Sequence, residues 1–167
     1  YIARLDAGDI CYKNKFKIQH SYLRKNPKVK LLGTWARVID EKGKHLFNLK
    51  HPVKYEKIRK LAYLNSVFLH PSVMFSSSVL HEVKQYPLGY FAAEDYAFFF
   101  KIITKYKSEN YPEILMDYIV DKNSISSKFR REQVTSRIKV IIKNFYVGIY
   151  PIYGIIRSLI LLFYSRE

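Results

Sequence analysis

The first ten residues constrain the fold most. Y-I-A-R-L-D-A-G-D-I runs from an apolar start into Asp6 and Asp9. A strand that ends in closely spaced acids needs a supporting sheet. Its carboxylates suit a hard divalent ion such as Mg²⁺ or Mn²⁺, which in turn neutralises phosphates. The plainer reading of the two acids is a turn. Nothing precedes the segment, so the chain reads as opening in the middle of a domain.

A chain of 167 residues, 49% of them hydrophobic, can bury the core of one domain and is not expected to be disordered. Its 29 Lys and Arg against 14 Asp and Glu give a formal charge of +15, which favours anionic partners. Clusters at Lys13–Lys17, Arg24–Lys30 and Lys128–Arg131 read as solvated helix faces. No zinc-finger, RNP or helix-turn-helix pattern supports specific nucleic-acid binding. Cys11 is the sole cysteine. It excludes an intrachain disulfide, suits a reducing compartment and reads as a small buried residue. The 15 Tyr and 11 Phe are expected in the core. Arg4, Asp6 and Asp9 interrupt any secretory signal.

The pattern predicts an α/β chain. Tyr1–Leu5 ends a strand, and Asn14 caps a helix over Lys15–Lys25 with Phe16, Ile18, Tyr22 and Leu23 as its apolar residues. Val29–Ile39 and His45–Leu49 form a hairpin around Asp40–Gly43. Pro52 opens a helix to about Leu64. Val67–Phe75 is a strand broken at His70-Pro71, and Ser76–Ser78 cap a short helix from Val79. Glu94 and Asp95 begin a strong helix to about Tyr106, where acids in the first turn also suit simple capping. Asn110-Tyr111-Pro112 punctuates, Ile114–Val120 is a last strand, Asp121–Ser127 a polar loop, and 128–146 a basic helix.

Residues 147–167 stand apart as an apolar, helical tail, with the domain proper at 1–146. Phe145–Tyr164 nearly reaches the ~20 residues of a membrane span. Arg157 near its middle opposes insertion by about 3 kcal/mol. Lys139, Lys143 and Arg166 around it suit an interfacial segment on acidic lipid. The other reading is a helix packed on the domain.

Four motifs in order are similar to those of family 2 glycosyltransferases of the GT-A fold. Y-I-A-R-L-D-A-G-D-I with Phe16 and Gln19 resembles the family's R-M-D-A-D-D stretch and the helix after it. N-S-V-F-L-H-P-S-V-M-F (65–75) resembles its H-P-S-V-M-F segment. Tyr86-Pro87 and F-A-A-E-D-Y (91–96) resemble its A-E-D-Y/W motif, and Tyr118–Ser126 its Y-R-x-H-x-x-S-x-S stretch. The match runs from Tyr1 to about Tyr146.

The resemblance implies a partial GT-A, Rossmann-like domain with a mixed sheet: the C-terminal, acceptor-side portion, without the nucleotide-binding β-α-β half. It implies inverting transfer from a nucleotide sugar, such as a UDP-sugar, to a glycan or lipid-linked acceptor in polysaccharide or lipopolysaccharide synthesis. The work would take place in the cytoplasm, at the inner face of the cell membrane. It makes Asp95 the general base and Glu94 its neighbour. Asp9 and Asp6 become ligands of Mg²⁺ or Mn²⁺, Asp6, Asp9 and Tyr118 the donor side, and His70-Pro71 the acceptor side. The chain departs from the family at Gly8, where relatives carry an acid, at Ile119 for Arg and at Asp121 for His. With the missing half, these departures predict little transferase activity from this chain alone. The alternative is a non-catalytic remnant or interaction module that keeps the fold.

Overall fold

The computed structural model describes residues 1–120 and 128–163. The expected polar loop at 121–127 and Arg166 lie outside the described residues, as does Asp121.

The elements run β1 (Ile2–Ala3), β2 (Ile10–Cys11), α1 (Lys15–Lys25), β3 (Val29–Ile39), β4 (His45–Leu49), α2 (Tyr55–Leu61) and a 3-10 turn at His70–Ser72. They continue with β5 (Met74–Phe75), a second 3-10 turn at Ser77–Val79, α3 (Leu80–Val83), α4 (Glu94–Lys105), β6 (Lys107–Ile119), α5 (Arg130–Lys143) and α6 (Ile149–Phe163). Among the described residues the strands make one mixed sheet in the order β1-β5-β3-β6-β2. Strand β6 lies parallel to β3 along one edge, while β5 and β4 pair antiparallel with successive parts of the other.

Parallel pairing demands a long crossover, and residues 40–106 supply it. Strand β6 starts seven residues before the predicted Ile114 and runs through Pro112. A bulge makes this possible: Thr34 pairs with Tyr111 and Trp35 with Ile114, so residues 112–113 leave the ladder. Proline, which cannot donate to the ladder, sits where no donor is needed. The predicted strand at 67–75 shrinks to Met74–Phe75, because His70-Pro71-Ser72 closes a 3-10 turn with the Ser72 N–H donating to Leu69 C=O at 3.0 Å.

The main core lies between this sheet and α2, α4 and α5. Helix α4 is buried on most sides, with Phe98, Phe99 and Phe100 each at most 2% exposed. A helix apolar nearly all round belongs inside. The aromatic residues pack edge to face, as Tyr63 on Phe100 and Phe68 on Phe99, and Tyr86 stacks on Phe98 at 4.3 Å.

Two expectations need correction. The buried stripe of α1 is Lys15, Gln19 and Leu23, while Phe16 is exposed. Asn14 precedes this helix without a side-chain capping bond. Nor is the C-terminal segment a free tail. Helix α6 docks through Pro151, Gly154 and Ser158. A Cβ at Gly154 would collide with the Tyr63 carbonyl, so only glycine permits the approach. Arg157 donates to Leu64 C=O at 2.7 Å, which gives its charge a polar partner against the domain. Among the described residues no helix is long and apolar enough to cross a membrane.

Gly33, in the centre of β3, faces a similar restriction. A Cβ there would overlap Asn110 Oδ1 and lie 2.8 Å from Phe68 Cδ1. Asn110 cannot yield, because its amide donates to Pro52 C=O at 2.8 Å and Val67 C=O at 3.0 Å. Gly33→Ala is therefore expected to lower stability by about 1–3 kcal/mol, read as a shift of the urea unfolding midpoint with an unchanged slope.

Candidate functional site

The site forms where the opening segment crosses the sheet. Asp6-Ala7-Gly8-Asp9 is a four-residue turn closed by the Asp9 N–H donating to Asp6 C=O at 3.2 Å. Gly8 adopts φ +96°, and nothing lies within 4 Å of where its Cβ would be. Glycine therefore has a backbone reason to stand here. The turn presents Asp6 and Asp9 at the C-terminal end of β6.

The two acids have different surroundings. Asp9 Oδ1 accepts the Ile119 N–H at 3.0 Å, whereas Oδ2 is buried with no hydrogen-bond partner among the described residues. Burial raises the Asp9 carboxyl above its usual value; the Ile119 N–H opposes this and the Asp6 charge adds to it. Asp6 is occupied at both oxygens: Oδ1 meets Arg4 at 3.2 Å and Oδ2 meets His70 Nδ1 at 3.2 Å. His70 Nε2 in turn lies 3.0 Å from the Tyr86 hydroxyl. Asp6, His70 and Tyr86 thus form one hydrogen-bonded chain from the turn to the 70–72 loop and the segment before α4.

Asp95 and Glu94 enter from the first turn of α4. Asp95 is partly buried and Glu94 exposed. Asp95 Oδ1 accepts the adjoining Tyr96 N–H at 2.7 Å, while the helix starts at its N-cap Ala93 without a side-chain capping bond. Burial raises the Asp95 carboxyl, with His70 and the Tyr96 N–H opposing. Tyr118 responds to the same acids. Its hydroxyl is pushed up by burial and by Asp9, Asp6 and Asp95 together. Tyr86 is raised chiefly by burial and feels Asp95, Asp6 and Glu94, with Arg4 opposing. Carboxylates 86 or more residues apart in sequence therefore act on the same pair of tyrosines.

The loop leading into α4 is held under strain. Ala92 takes φ +57°, which costs a non-glycine residue about 1–2 kcal/mol. Helix α5 fixes it there: Gln133 donates to Ala92 C=O at 3.0 Å and the Ser136 hydroxyl to Phe91 C=O at 3.0 Å.

Of the expected site residues, Asp6 and His70 are in direct contact, and the Tyr118 hydroxyl feels the charges of Asp9, Asp6 and Asp95. Pro71 is buried, and its carbonyl accepts a hydrogen bond from Lys15 Nζ at 3.2 Å. Lys15 was read as part of a solvated cluster, yet it is fully buried and also donates to Arg4 C=O at 3.2 Å. One turn on, Gln19 donates to Ser72 C=O at 2.8 Å and Leu32 C=O at 3.0 Å. Lys15 and Gln19 pin the 70–72 turn against the sheet. Their spacing of four, in register with Leu23, was the signal that could have found them.

The donor set is hard oxygen, which fits Mg²⁺ or Mn²⁺. Asp9 Oδ2 is the buried, unpartnered atom that such a cation would complete. Among the described residues no three His, Cys, Asp or Glu side chains gather as a metal cluster. The residues therefore fit an ion held by one or two carboxylates and completed by phosphate and water, the usual habit of Mg²⁺.

Comparison with known proteins agrees in kind. The chain is 31% identical over 139 residues to an uncharacterised glycosyltransferase of Methanocaldococcus jannaschii, covering 81% of this chain and 48% of that protein. It is 30% identical over 126 residues to the O-antigen biosynthesis glycosyltransferase WbnJ of Escherichia coli, covering 74% and 48%. It is 25% identical over 140 residues to the amylovoran biosynthesis glycosyltransferase AmsE of Erwinia amylovora, covering 83% and 52%. These relatives are glycosyltransferases, and the chain spans about half the length of each. No family model matches the chain.

Lys15 generates a pH prediction. Burial lowers its ammonium from 10.5 to about 8, with Cys11 and Asp9 opposing. Between those values the unfolded chain holds the proton more tightly than the folded one, so stability rises with pH across the window. Urea unfolding at pH 7 and pH 10 is expected to show a gain of about 2 kcal/mol that is missing in Lys15→Met.

Proposed function

We propose that this chain carries the acceptor side and catalytic base of an inverting, nucleotide-sugar-dependent glycosyltransferase of family 2 with a partial GT-A fold. The observation that carries the reading is the Asp6–His70–Tyr86 hydrogen-bonded chain beside Asp9, one of whose oxygens is buried with no partner among the described residues. The glycosyltransferase names of the relatives support the reaction class.

In this reading Asp95 accepts the proton of the attacking acceptor hydroxyl. Its burial suits the task, because a carboxylate raised above its ordinary value is a stronger base near neutral pH. The attack displaces the nucleoside diphosphate from the anomeric carbon in one step with inversion. His70, held by Asp6 and Tyr86, lines the acceptor side and steadies the Asp95 charge. Glu94, exposed beside it, orients the acceptor. Tyr118, whose hydroxyl feels Asp9, Asp6 and Asp95, belongs to the donor side. Asp9 would hold a Mg²⁺ or Mn²⁺ ion, which would supply positive charge for the departing diphosphate; Asp6 would join it only on releasing Arg4 or His70. Asp9 would bind it readily, since a cation relieves the cost of its buried charge.

The donor we propose is a UDP-sugar. The acceptor is a glycan or lipid-linked precursor of a cell-surface polysaccharide or lipopolysaccharide, met at the cytoplasmic face of the membrane. The test is nucleoside diphosphate release from a panel of UDP-sugars with Mn²⁺, by the whole protein of which relatives are twice this length. Asp95→Asn is expected to cut turnover roughly 10²–10⁴-fold with donor binding nearly unchanged. Unaltered turnover would remove Asp95 from the mechanism. Asp9→Ala is expected instead to weaken Mn²⁺ and donor binding, read by calorimetric titration. This chain alone is expected to bind a UDP-sugar only weakly, and micromolar affinity would sink the assignment to the acceptor side. A folded whole protein with neither donor binding nor turnover would favour the non-catalytic alternative.

A further inference from the structure

Helix α6 has two opposite faces. Pro151, Gly154 and Ser158 are buried against the domain. Ile149, Ile152, Tyr153, Ile156, Ile160 and Phe163 recur at intervals of three and four residues, so they share the other face. All six are exposed, from 46% at Ile152 to 86% at Phe163. Val147, just before the helix, is 91% exposed. A contiguous apolar stripe of this size on a folded domain marks a contact surface.

Its rim is basic. Lys60 Nζ lies 5.9 Å from the centre of the Tyr150 ring. Arg59 and Lys60 line a groove of about 520 Å³ with Tyr55, Glu56 and Tyr146. From Gln133 to Phe163 the chain contains no acidic residue, and among the described residues that line the groove Glu56 is the one acid.

From this pairing of apolar stripe and cationic rim we infer that α6 is a docking face for an anionic lipid bilayer. It lies in the plane of the interface, its stripe among the acyl chains and the Arg59–Lys60 groove at the headgroups. Because the opposite face is docked on protein, lipid cannot surround the helix and it cannot span. Apolar insertion and basic attraction act together in such helices, and tyrosines at the boundary suit the mixed polarity there. The inference rests on the helix and its rim and is independent of the sugar-transfer reading.

The test is co-sedimentation of this chain with phosphatidylcholine vesicles, with and without about 30% phosphatidylglycerol. Retention on the anionic vesicles is expected to exceed that on neutral ones by roughly tenfold. Two variants separate the terms. I152D/I156D changes only exposed positions, and R59E/K60E reverses the rim; each is expected to lower retention roughly tenfold with unchanged circular dichroism. Absence of retention on anionic vesicles would overturn the inference. So would retention that I152D/I156D leaves intact, since charge alone would then explain it. A dimer in analytical ultracentrifugation that I152D/I156D dissociates, without vesicle binding, would assign the face to a second copy instead.

Discussion

The parallel pairing of β3 with β6 is the constraint on which the rest depends. It sets Arg37 directly beside Asp117, and the guanidinium grips the carboxylate through two bonds at 2.8 and 2.6 Å. Arg37 holds that carboxyl below the usual range, and the Tyr12 hydroxyl adds a bond at 2.7 Å from the segment after β2. The same register brings the Ile119 N–H to the sheet end, where Asp9 accepts it. A slip of one residue would exchange the faces of β6 and remove both contacts.

Around this axis the acids are assembled by buried polar groups rather than apolar ones. Lys15 and Gln19 reach across from α1 to backbone carbonyls of Arg4, Leu32, Pro71 and Ser72. An ammonium and an amide can bind several carbonyls at once, which no aliphatic side chain can do. Their burial is costly, and Gln19 Oε1 has no partner among the described residues, yet the donated bonds fix the 70–72 turn in one place. His70 then meets Asp6 from a defined direction.

Elements with strong local signals were legible in the sequence. Strands Val29–Ile39 and His45–Leu49 and helix Lys15–Lys25 have the bounds that β-branched runs, the Asp40–Gly43 turn and Asn26-Pro27 specify. The ordered motifs also led to Asp6, Asp9, His70 and Asp95. What stayed hidden was non-local. Nothing near Pro112 tells that a bulge opposite Thr34 and Trp35 will absorb it. Nothing near Lys15 tells that its apparent place among solvated lysines ends inside the protein. Nor does the sequence disclose that both oxygens of Asp6 are taken by Arg4 and His70, leaving Asp9 as the carboxylate with an open atom.

Helix α5 gives the molecule a shared skeleton. Near its start it grips the left-handed Ala92 and the loop ahead of Asp95; at its other end Tyr63 bonds the Asn144 carbonyl, just before α6 begins. A single rod thus touches the strained approach to the candidate base and the root of α6. Substitutions at these two distant places should not combine additively, because each shifts the same lever. For a lineage of such chains, a change at the root of α6 would be filtered by what it does at Ala92.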